Sequence, residues 1–196
     1  RAEVLVRMAA PALGGRVFRL LRSPATWSDH DRDTLREMVA RFDGVPLYVY
    51  ERQDGAFDIA AIARKHGADV VVVDWYQQLS DAWAEPGTGS DMIDHAHALA
   101  LLNVARRGGA CVIVVSQLNR DGTAKYGAWL NAYASAHVIL KNVEDQPGRV
   151  VLEPVKNRWG TDSAGGASAE FQMDKATGRL TPVGRPGDAR TEVTPW

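Results

Sequence analysis

The chain has 196 residues, 45% of them hydrophobic and 24% charged, which suffices for one domain with a sizeable core but not for two generous ones. A formal net charge of −1 excludes a global attraction to nucleic acid or an anionic membrane, so polyanion binding requires a local basic patch. No leader opens the chain and no apolar run approaches the roughly 20 residues of a membrane helix, so we expect a cytoplasmic protein without a membrane anchor.

The first periodic segment predicts an amphipathic helix. Its apolar side chains recur at helical spacing, at Leu35, Met38, Val39 and Phe42. Ser28 or Asp31 is a candidate cap at its start, and the pair Asp43-Gly44 favours an end there. The apolar residues 47–50 then predict a short strand.

Two βαβ steps follow. Residues 59–66 predict a helix that Gly67 stops, and residues 68–74 the strand after it. Residues 91–107 predict a second helix, closed by the pair Gly108-Gly109, and residues 110–115 a second strand. Cys111 lies in that apolar strand, which predicts a buried, inert thiol suited to a reducing compartment. The alternation indicates an α/β fold with a mostly parallel sheet.

The pattern changes after Ser116. A polar loop to about residue 128 precedes a short helical piece and a strand near residues 138–141. Residues 150–158, 169–173 and 180–183 predict antiparallel strands added to the sheet edge, with turns at Gly165-Gly166 and Thr177-Gly178. We therefore assign one domain to residues 1–183 and a flexible tail to residues 184–196.

Polar side chains follow the two buried strands of the predicted parallel sheet. Asp74 ends the run of four valines at residues 70–73, and Gln117 follows the second strand. The carboxyl ends of parallel strands meet at one edge, where ligand sites of α/β proteins form. A strand-ending Asp also serves turns and caps, and polar residues also begin loops, so each feature alone has a structural explanation.

A pair of cations marks the late strand. Lys156 and Arg158 are two residues apart, which predicts that both lie on one face together with Val150 and Leu152. Arg binds phosphate through two hydrogen bonds and Lys as a point charge, so the pair suits a polyphosphate. The alternative is an exposed strand end that its charges keep solvated.

These segments together resemble the C-terminal, RecA-like ATPase domain of DnaB-type replicative hexameric helicases. The matching stretches are Asp74-Trp75-Tyr76-Gln77-Gln78-Leu79, Ser116-Gln117-Leu118-Asn119-Arg120, Lys156-Asn157-Arg158-Trp159-Gly160 and a closing hairpin over residues 171–180. Their order and approximate spacing agree with the family over roughly residues 2–183. The pair formed by Ser-Gln-Leu-Asn-Arg and Lys-x-Arg-x-Gly is the most specific part of the match.

The resemblance implies an ATP-dependent DNA helicase of the replication machinery that acts as a homo-hexamer on single-stranded DNA, with primase and a helicase loader as further partners. Asp74 is then the magnesium-associated acid and Gln117 the γ-phosphate sensor. Arg158 and Lys156 form the finger pair that reaches a neighbouring subunit's ATP. Family members contact DNA just after the Gln motif, which gives as candidates Arg120, Lys125, Tyr126 and Gly127.

The sequence departs from the family in three ways. It contains no Gly-x-x-x-x-Gly-Lys-Ser/Thr, the P-loop whose backbone amides and Lys hold ATP phosphates, so we expect this chain alone to be inactive. The family's catalytic Glu precedes the helix that residues 2–8 resemble, and Glu3 is a poor substitute. Residues 133–137 replace an acidic family segment, which is compatible with a divergent phage or mobile-element form.

Two other functions stay open. One is another RecA-like ATPase, of recombinase or clock type, against which the Gln-Leu-Asn-Arg motif counts. The other is a non-catalytic subunit or decoy that keeps the subunit interface and has lost the P-loop. The coding sequence upstream of Arg1 separates this last candidate from a truncated helicase.

Several further residues have structural explanations. A metal-like group stands at the start of the second helix, at Asp91, Asp94, His95 and His97, where acids complement the helix dipole, and we assign no zinc there. Trp75 and Tyr76 favour packing over base stacking. Trp129 and Tyr133, four residues apart beside the polar loop, fit either role.

Overall fold

The computed structural model describes residues 23–41, 43–50, 55–82, 84–119, 128–158, 168–175 and 177–184. The helices in this part of the chain are α1 (Asp29–Arg41), α2 (Ala56–His66), α3 (Ser90–Gly108) and α4 (Ala128–Tyr133). The strands are β1 (Val70–Asp74), β2 (Cys111–Val115), β3 (Ala136–Asn142), β4 (Arg149–Asn157), β5 (Ala169–Met173) and β6 (Leu180–Pro182). The chain is therefore mixed α/β, as the sequence predicts.

The chain divides into two compact units. The parallel unit, residues 52–135, contains the two-stranded parallel sheet β1–β2 and the helices α2, α3 and α4. The antiparallel unit, residues 1–51 with 136–196, contains α1 and a four-stranded sheet in the order β3-β4-β5-β6. The described strands thus form two sheets, where we expected one sheet with antiparallel strands added at its edge.

Local chemistry explains the ends of the helices in the parallel unit. Gly55 precedes α2, and its backbone N–H donates to the Asp58 carboxylate at 3.1 Å, half of a capping box. Gly67 and Gly109 end α2 and α3 in the left-handed region, at φ of 57° and 71°. Glycine enters this region without a Cβ penalty, so both predicted stops are confirmed.

The core of the parallel unit lies between its sheet and its helices. Val73, Tyr76 and Leu101 are 6%, 4% and 2% exposed and form one cluster with Ala56 and Ala100. Partly buried side chains from the inner face of the sheet complete it, namely Val71, Val112 and Val114. Strand alternation explains why every second residue points into this core.

The other side of the parallel sheet is exposed, and we call it the open face: Val70, Val72, Cys111, Ile113 and Val115. Val72 is 62% exposed and Ile113 49%, and the two are paired in the ladder. Cys111 is exposed, so the predicted burial of its thiol is wrong. An apolar run does not tell whether both faces of a strand are covered, and alternation places Cys111 on the uncovered one.

In the antiparallel unit, α1 begins with a reciprocal cap. The Ser28 backbone N–H donates to the Asp31 carboxylate at 3.0 Å, and the Asp31 N–H donates to the Ser28 hydroxyl at 3.1 Å. Both predicted capping residues are therefore used. The predicted strand at residues 47–50 is wrong, because the structure gives this segment no ladder. Its first amide, on Leu47, donates locally to the carbonyl of Val45 at 2.7 Å.

The four antiparallel strands agree with the prediction to within about two residues, the usual latitude of strand ends. Glycines at positive φ shape the connecting turns, at Gly148 (80°) before β4 and Gly178 (71°) before β6. Ion pairs cross the sheet surface from Lys141 to Glu153 and from Arg149 to Glu170. Val150 is buried, at 1% exposure.

A β-bulge interrupts the pairing of β3 with β4. His137 lies opposite Lys156 and Val138 opposite Pro154, so Val155 is the extra residue. Directly opposed residues share a face, and therefore Lys156 lies with His137 rather than with Val150 and Leu152. The prediction that Lys156 shares a face with Val150 and Leu152 is therefore wrong, because one inserted residue offsets the two-residue alternation.

Among the described helices, none combines the length and the apolar character needed to cross a bilayer. Residues 2–8, the turn at Gly165-Gly166 and the tail from residue 185 lie outside the described part of the chain, so those predictions stay predictions.

Candidate functional site

Asp74 and Gln117 come together at the carboxyl edge of the parallel sheet. Asp74 is the last residue of β1 and is paired with Val115, the last residue of β2. Gln117 follows Val115 by two residues, and both Asp74 and Gln117 are exposed. The peptide bond between Asp74 and Trp75 is cis. The convergence predicted from the two strand ends is therefore present, with an acid and an amide open to solvent at one edge.

Gln77 ties the two strand ends together. Its Nε2 donates to Ser116 Oγ at 2.8 Å and to the Gln117 carbonyl oxygen at 3.3 Å. Its Oε1 accepts from the Gln117 backbone N–H at 3.2 Å. The side-chain amide offers Gln117 one donor and one acceptor, as a peptide group does, and so continues the ladder past Asp74 and Val115.

A buried hydroxyl holds the 3-10 helix Tyr76–Gln78 that carries Gln77. Tyr76 Oη donates to Asp94 Oδ1 at 2.7 Å and to the Asp94 carbonyl oxygen at 3.0 Å. Burial raises the pKa of Tyr76 far above its ordinary value, and the Asp94 carboxylate raises it further. Tyr76 therefore stays a hydrogen-bond donor to α3 at every physiological pH.

A buried histidine fixes the connection into α3. His97 is 5% exposed, and its Nε2–H donates to the Ser80 carbonyl oxygen at 3.2 Å. Burial lowers the pKa of His97, although the Ser80 carbonyl and the carboxylates of Asp81 and Asp94 act in the opposite direction. The imidazole is therefore neutral at neutral pH.

Helix α4 packs on α3 through Trp129 and Tyr133, which contact Asp91, Asp94 and His95 of the metal-like group. Trp129 Nε1 donates to Asp91 Oδ1 at 3.0 Å, and its backbone N–H donates to Asp94 Oδ2 at 3.4 Å. His95 Nε2 and the Tyr133 hydroxyl are 2.7 Å apart, and the rings of His95 and Trp129 lie 4.3 Å apart. No group of three or more potential metal ligands occurs in the described ranges.

Lys156 and Arg158 belong to the antiparallel unit. Lys156 is half-buried near the end of β4, and Arg158 is exposed one residue beyond it. Burial lowers the pKa of Lys156, and the neighbouring guanidinium of Arg158 lowers it further. The role predicted for the two cations stays a prediction.

The four candidate DNA contacts lie outside the described residues: Arg120, Lys125, Tyr126 and Gly127. The same holds for Trp159 and Gly160, the last residues of the Lys-x-Arg-x-Gly stretch. Their assignments stay predictions.

At the carboxyl edge, Asp74 offers a carboxylate to a ligand and Gln117 offers an amide. Mg²⁺ keeps most of its waters and takes one or two carboxylates, which an exposed carboxylate such as Asp74 provides. The Gln117 amide offers a donor for a phosphate oxygen or an attacking water. The phosphate cradle of a P-loop is not encoded in these 196 residues.

The sequence motif that begins at Asp74 includes Gln77 but predicts no role for it. Asp94 was interpreted as an acid that complements the dipole of its helix. The useful indications were a second polar residue three positions after Asp74 and an acid one helical turn into the apolar face of α3. Both act through partners that are remote along the chain, Gln117 and Tyr76.

Neither models of known protein families nor the sequences of curated proteins match this chain. The functional assignment therefore rests on the motifs and on the geometry of the carboxyl edge.

Proposed function

We propose that the chain is part of the RecA-like motor domain of a DnaB-type helicase, an ATP hydrolase that translocates on single-stranded DNA in a homo-hexamer. One observation carries the proposal: Asp74 and Gln117 lie at the same carboxyl edge, and Gln77 connects the strand that ends in Asp74 to the backbone of Gln117. Ligand sites of parallel sheets form at such edges.

The proposal gives separate roles to Asp74, to Gln117 and to the pair Lys156 and Arg158. Asp74 would hold a hydrated magnesium ion, which would neutralise charge on the ATP phosphates. Gln117 donates to the γ-phosphate, and its backbone carries that state into residues 118–127, which include the candidate DNA contacts. Lys156 and Arg158 stabilise the developing charge in a neighbouring subunit's site.

The Ser116 to Arg120 stretch favours a helicase over a recombinase or a clock protein. It places an amide at the sheet edge immediately before a polar segment with two cations, Arg120 and Lys125. A side chain that senses phosphate and is joined directly to a cationic segment can couple ATP hydrolysis to binding of the phosphate backbone of single-stranded DNA.

The first test compares this chain with a longer protein that carries a P-loop and a catalytic Glu upstream of Arg1. The longer protein should hydrolyse ATP faster with single-stranded DNA, and Asp74→Asn should abolish hydrolysis. The chain alone should give no heat with magnesium-ATP in calorimetry, because P-loop backbone amides make most phosphate contacts. A micromolar dissociation constant for the chain alone would contradict this assignment of the phosphate site.

A second candidate is a non-catalytic subunit that occupies a ring position without hydrolysing ATP. The observation in its favour is that these 196 residues encode no Gly-x-x-x-x-Gly-Lys-Ser/Thr. The gene decides between the two: an upstream P-loop in the same reading frame supports the motor, whereas a start codon and promoter next to the codon of Arg1 support the non-catalytic subunit.

A further inference from the structure

Asp94 is a buried acid on the inner side of α3. It is 9% exposed and lies on the same buried stripe as Ala98 and Leu101. Its Oδ1 accepts from the Tyr76 hydroxyl at 2.7 Å, and its Oδ2 accepts from the Trp129 backbone N–H at 3.4 Å. A carboxylate is costly to bury unless donors surround it, so these contacts explain how an acid is accommodated at this position.

The contact with Tyr76 leads to the carboxyl edge of the parallel sheet. Tyr76 begins the 3-10 helix Tyr76–Gln78, and the side chain of Gln77 bonds both the N–H and the carbonyl oxygen of Gln117. Those two bonds are long, at 3.2 and 3.3 Å, so a small displacement of Gln77 would break them. The Tyr76 hydroxyl ties this short helix to α3 and thereby limits such displacement.

The contact with Trp129 leads to the start of α4. Trp129 is the second residue of this helix, and the first N–H groups of a helix have no acceptor within it. The Asp94 carboxylate supplies an acceptor there, and its negative charge is favourable at that end of a helix. The Trp129 indole is held separately, because its Nε1 donates to Asp91 Oδ1 at 3.0 Å.

We propose that Asp94 is a positioning residue that connects the backbone of Gln117 to the start of α4. It acts on Gln117 through Tyr76 and Gln77 and touches no ligand itself. One buried side chain thereby fixes two points of the parallel unit that are twelve residues apart in the chain. This placement is a property of the folded chain, whereas its use in presenting Gln117 to a γ-phosphate rests on the proposed function.

Hydrogen exchange of single backbone amides, followed by NMR in the 196-residue chain, measures both points. Tyr76→Phe should speed exchange at Gln117 about three- to tenfold, the effect of losing one hydrogen bond, and leave Trp129 within about twofold. Asp94→Ala should speed exchange at both amides. Its effect at Gln117 should be the smaller one, because the main-chain carbonyl of residue 94 still accepts from Tyr76.

Asp94→Asn is the conservative variant. An amide side chain keeps one acceptor oxygen, and the shorter of the two bonds, to Tyr76, should retain it. Gln117 should therefore stay protected in this variant, while the Trp129 amide exchanges faster. If Asp94→Asn instead loosens Gln117 as much as Tyr76→Phe does, the route through the Tyr76 hydroxyl is wrong.

Two controls separate a local effect from a general loss of stability. Tyr133→Phe removes a hydroxyl from the same packing of α4 on α3, where it bonds His95, and should leave the Gln117 amide unchanged. The amides of β2 report the stability of the whole parallel unit, because a general loss speeds their exchange and a local opening at the edge does not.

A longer protein that carries a P-loop upstream tests the use of this placement. Tyr76→Phe should lower kcat for ATP hydrolysis about tenfold at an unchanged KM, because a misplaced Gln117 acts less well on the transition state. If the longer protein hydrolyses no ATP although the exchange rates change as expected, Asp94 positions Gln117 and the helicase proposal is wrong. If neither Tyr76→Phe nor Asp94→Ala changes exchange at Gln117, Asp94 does not position it, whatever the hydrolysis shows.

Discussion

The parallel and antiparallel sheets differ in the interactions that stabilise them. Of the ten buried apolar residues in the described ranges, all except Val150 belong to the parallel unit, where α2 and α3 cover one face of β1 and β2. In the described part of the antiparallel unit, backbone ladders and surface ion pairs such as Lys141–Glu153 connect the strands, and such exposed ion pairs stabilise little. Asp74 and Gln117 therefore lie at the edge of a sheet that packs against helices. Lys156 and Arg158 lie at a strand end of the antiparallel unit, where Lys156 is half-buried and Arg158 is exposed.

The largest effect should come from the antiparallel sheet, although Val150 is the one buried apolar residue in the described part of that unit. In a protein that carries this chain behind a P-loop, Arg158→Ala should lower DNA-stimulated ATP turnover by about 10³ to 10⁵, because a finger arginine acts on charge that develops in the transition state. ATP binding and ring assembly, measured by calorimetry and light scattering, should change little.

Mixing the subunits determines whether Arg158 acts across an interface. Rings assembled from Arg158→Ala subunits and Asp74→Asn subunits contain some junctions with an intact Asp74 and an intact Arg158. Partial hydrolysis should return in these rings. If mixed rings form and hydrolysis stays at the level of either variant alone, the assignment in trans is wrong.

Matched leucine variants measure the difference in packing. Leu101→Ala, in the core of the parallel unit, should lower the free energy of unfolding by about 3 kcal/mol, since the side chain is 2% exposed and its removal leaves a cavity. Leu140→Ala, at a side chain 52% exposed on the antiparallel sheet, should cost under about 1 kcal/mol. Urea denaturation of both variants checks the contrast, and equal losses would contradict it.

The helical stops were predictable because they depend on neighbours in the chain. Gly67 and Gly109 end their helices at positive φ, and Ser28 with Asp31 forms a cap within four residues. The strand ends that carry Asp74 and Gln117 were predictable for the same reason, since an apolar run followed by a polar residue is a local pattern.

The remaining features depend on residues that are distant along the chain. The bulge at Val155 requires the register with β3, and the hydrogen bonds of Gln77 require a strand about 40 residues away. Burial of Cys111 was mispredicted because hydropathy does not reveal which face of a strand a helix covers. Side-chain periodicity tells which residues of a strand share a face, but it does not tell which of the two faces is buried.

The buried hydroxyl of Tyr76 tests how strongly the parallel unit depends on polar contacts. Tyr76→Phe should lower the free energy of unfolding by about 1 to 3 kcal/mol, because the Asp94 carboxylate loses a buried donor. Tyr133→Phe removes a partly exposed hydroxyl that bonds His95 and should cost less. Chemical denaturation gives both values, and a larger loss for Tyr133→Phe would reverse this order.

The smallest effect concerns pH. Because burial lowers the pKa of His97, the unfolded chain binds a proton there under conditions where the folded chain does not. The contribution of His97 to stability is therefore complete above about pH 6.5, the ordinary histidine value, and is lost as the pH falls from there through the lowered pKa. His97→Gln should flatten this dependence in urea melts between neutral and mildly acidic pH.

A control substitution at a second histidine separates the effect of His97 on the pH dependence of unfolding from the effect of acidic residues. The control is His30→Gln, which makes the same substitution at an exposed histidine of α1. A slope in the His97→Gln variant as steep as in the original chain would assign the effect to other groups.

Cys111 can report whether the open face of the parallel sheet is covered. The chain has a single cysteine, and Cys111 is exposed in the same row as Ile113 and Val115. The alkylation rate of a thiol depends on how freely a reagent reaches it, so a maleimide dye should label the uncovered sheet readily. A strand, helix or second subunit that packs on Val72 and Ile113 would shield the sulfur atom, and the labelling rate would then measure how completely that surface is covered in any larger assembly.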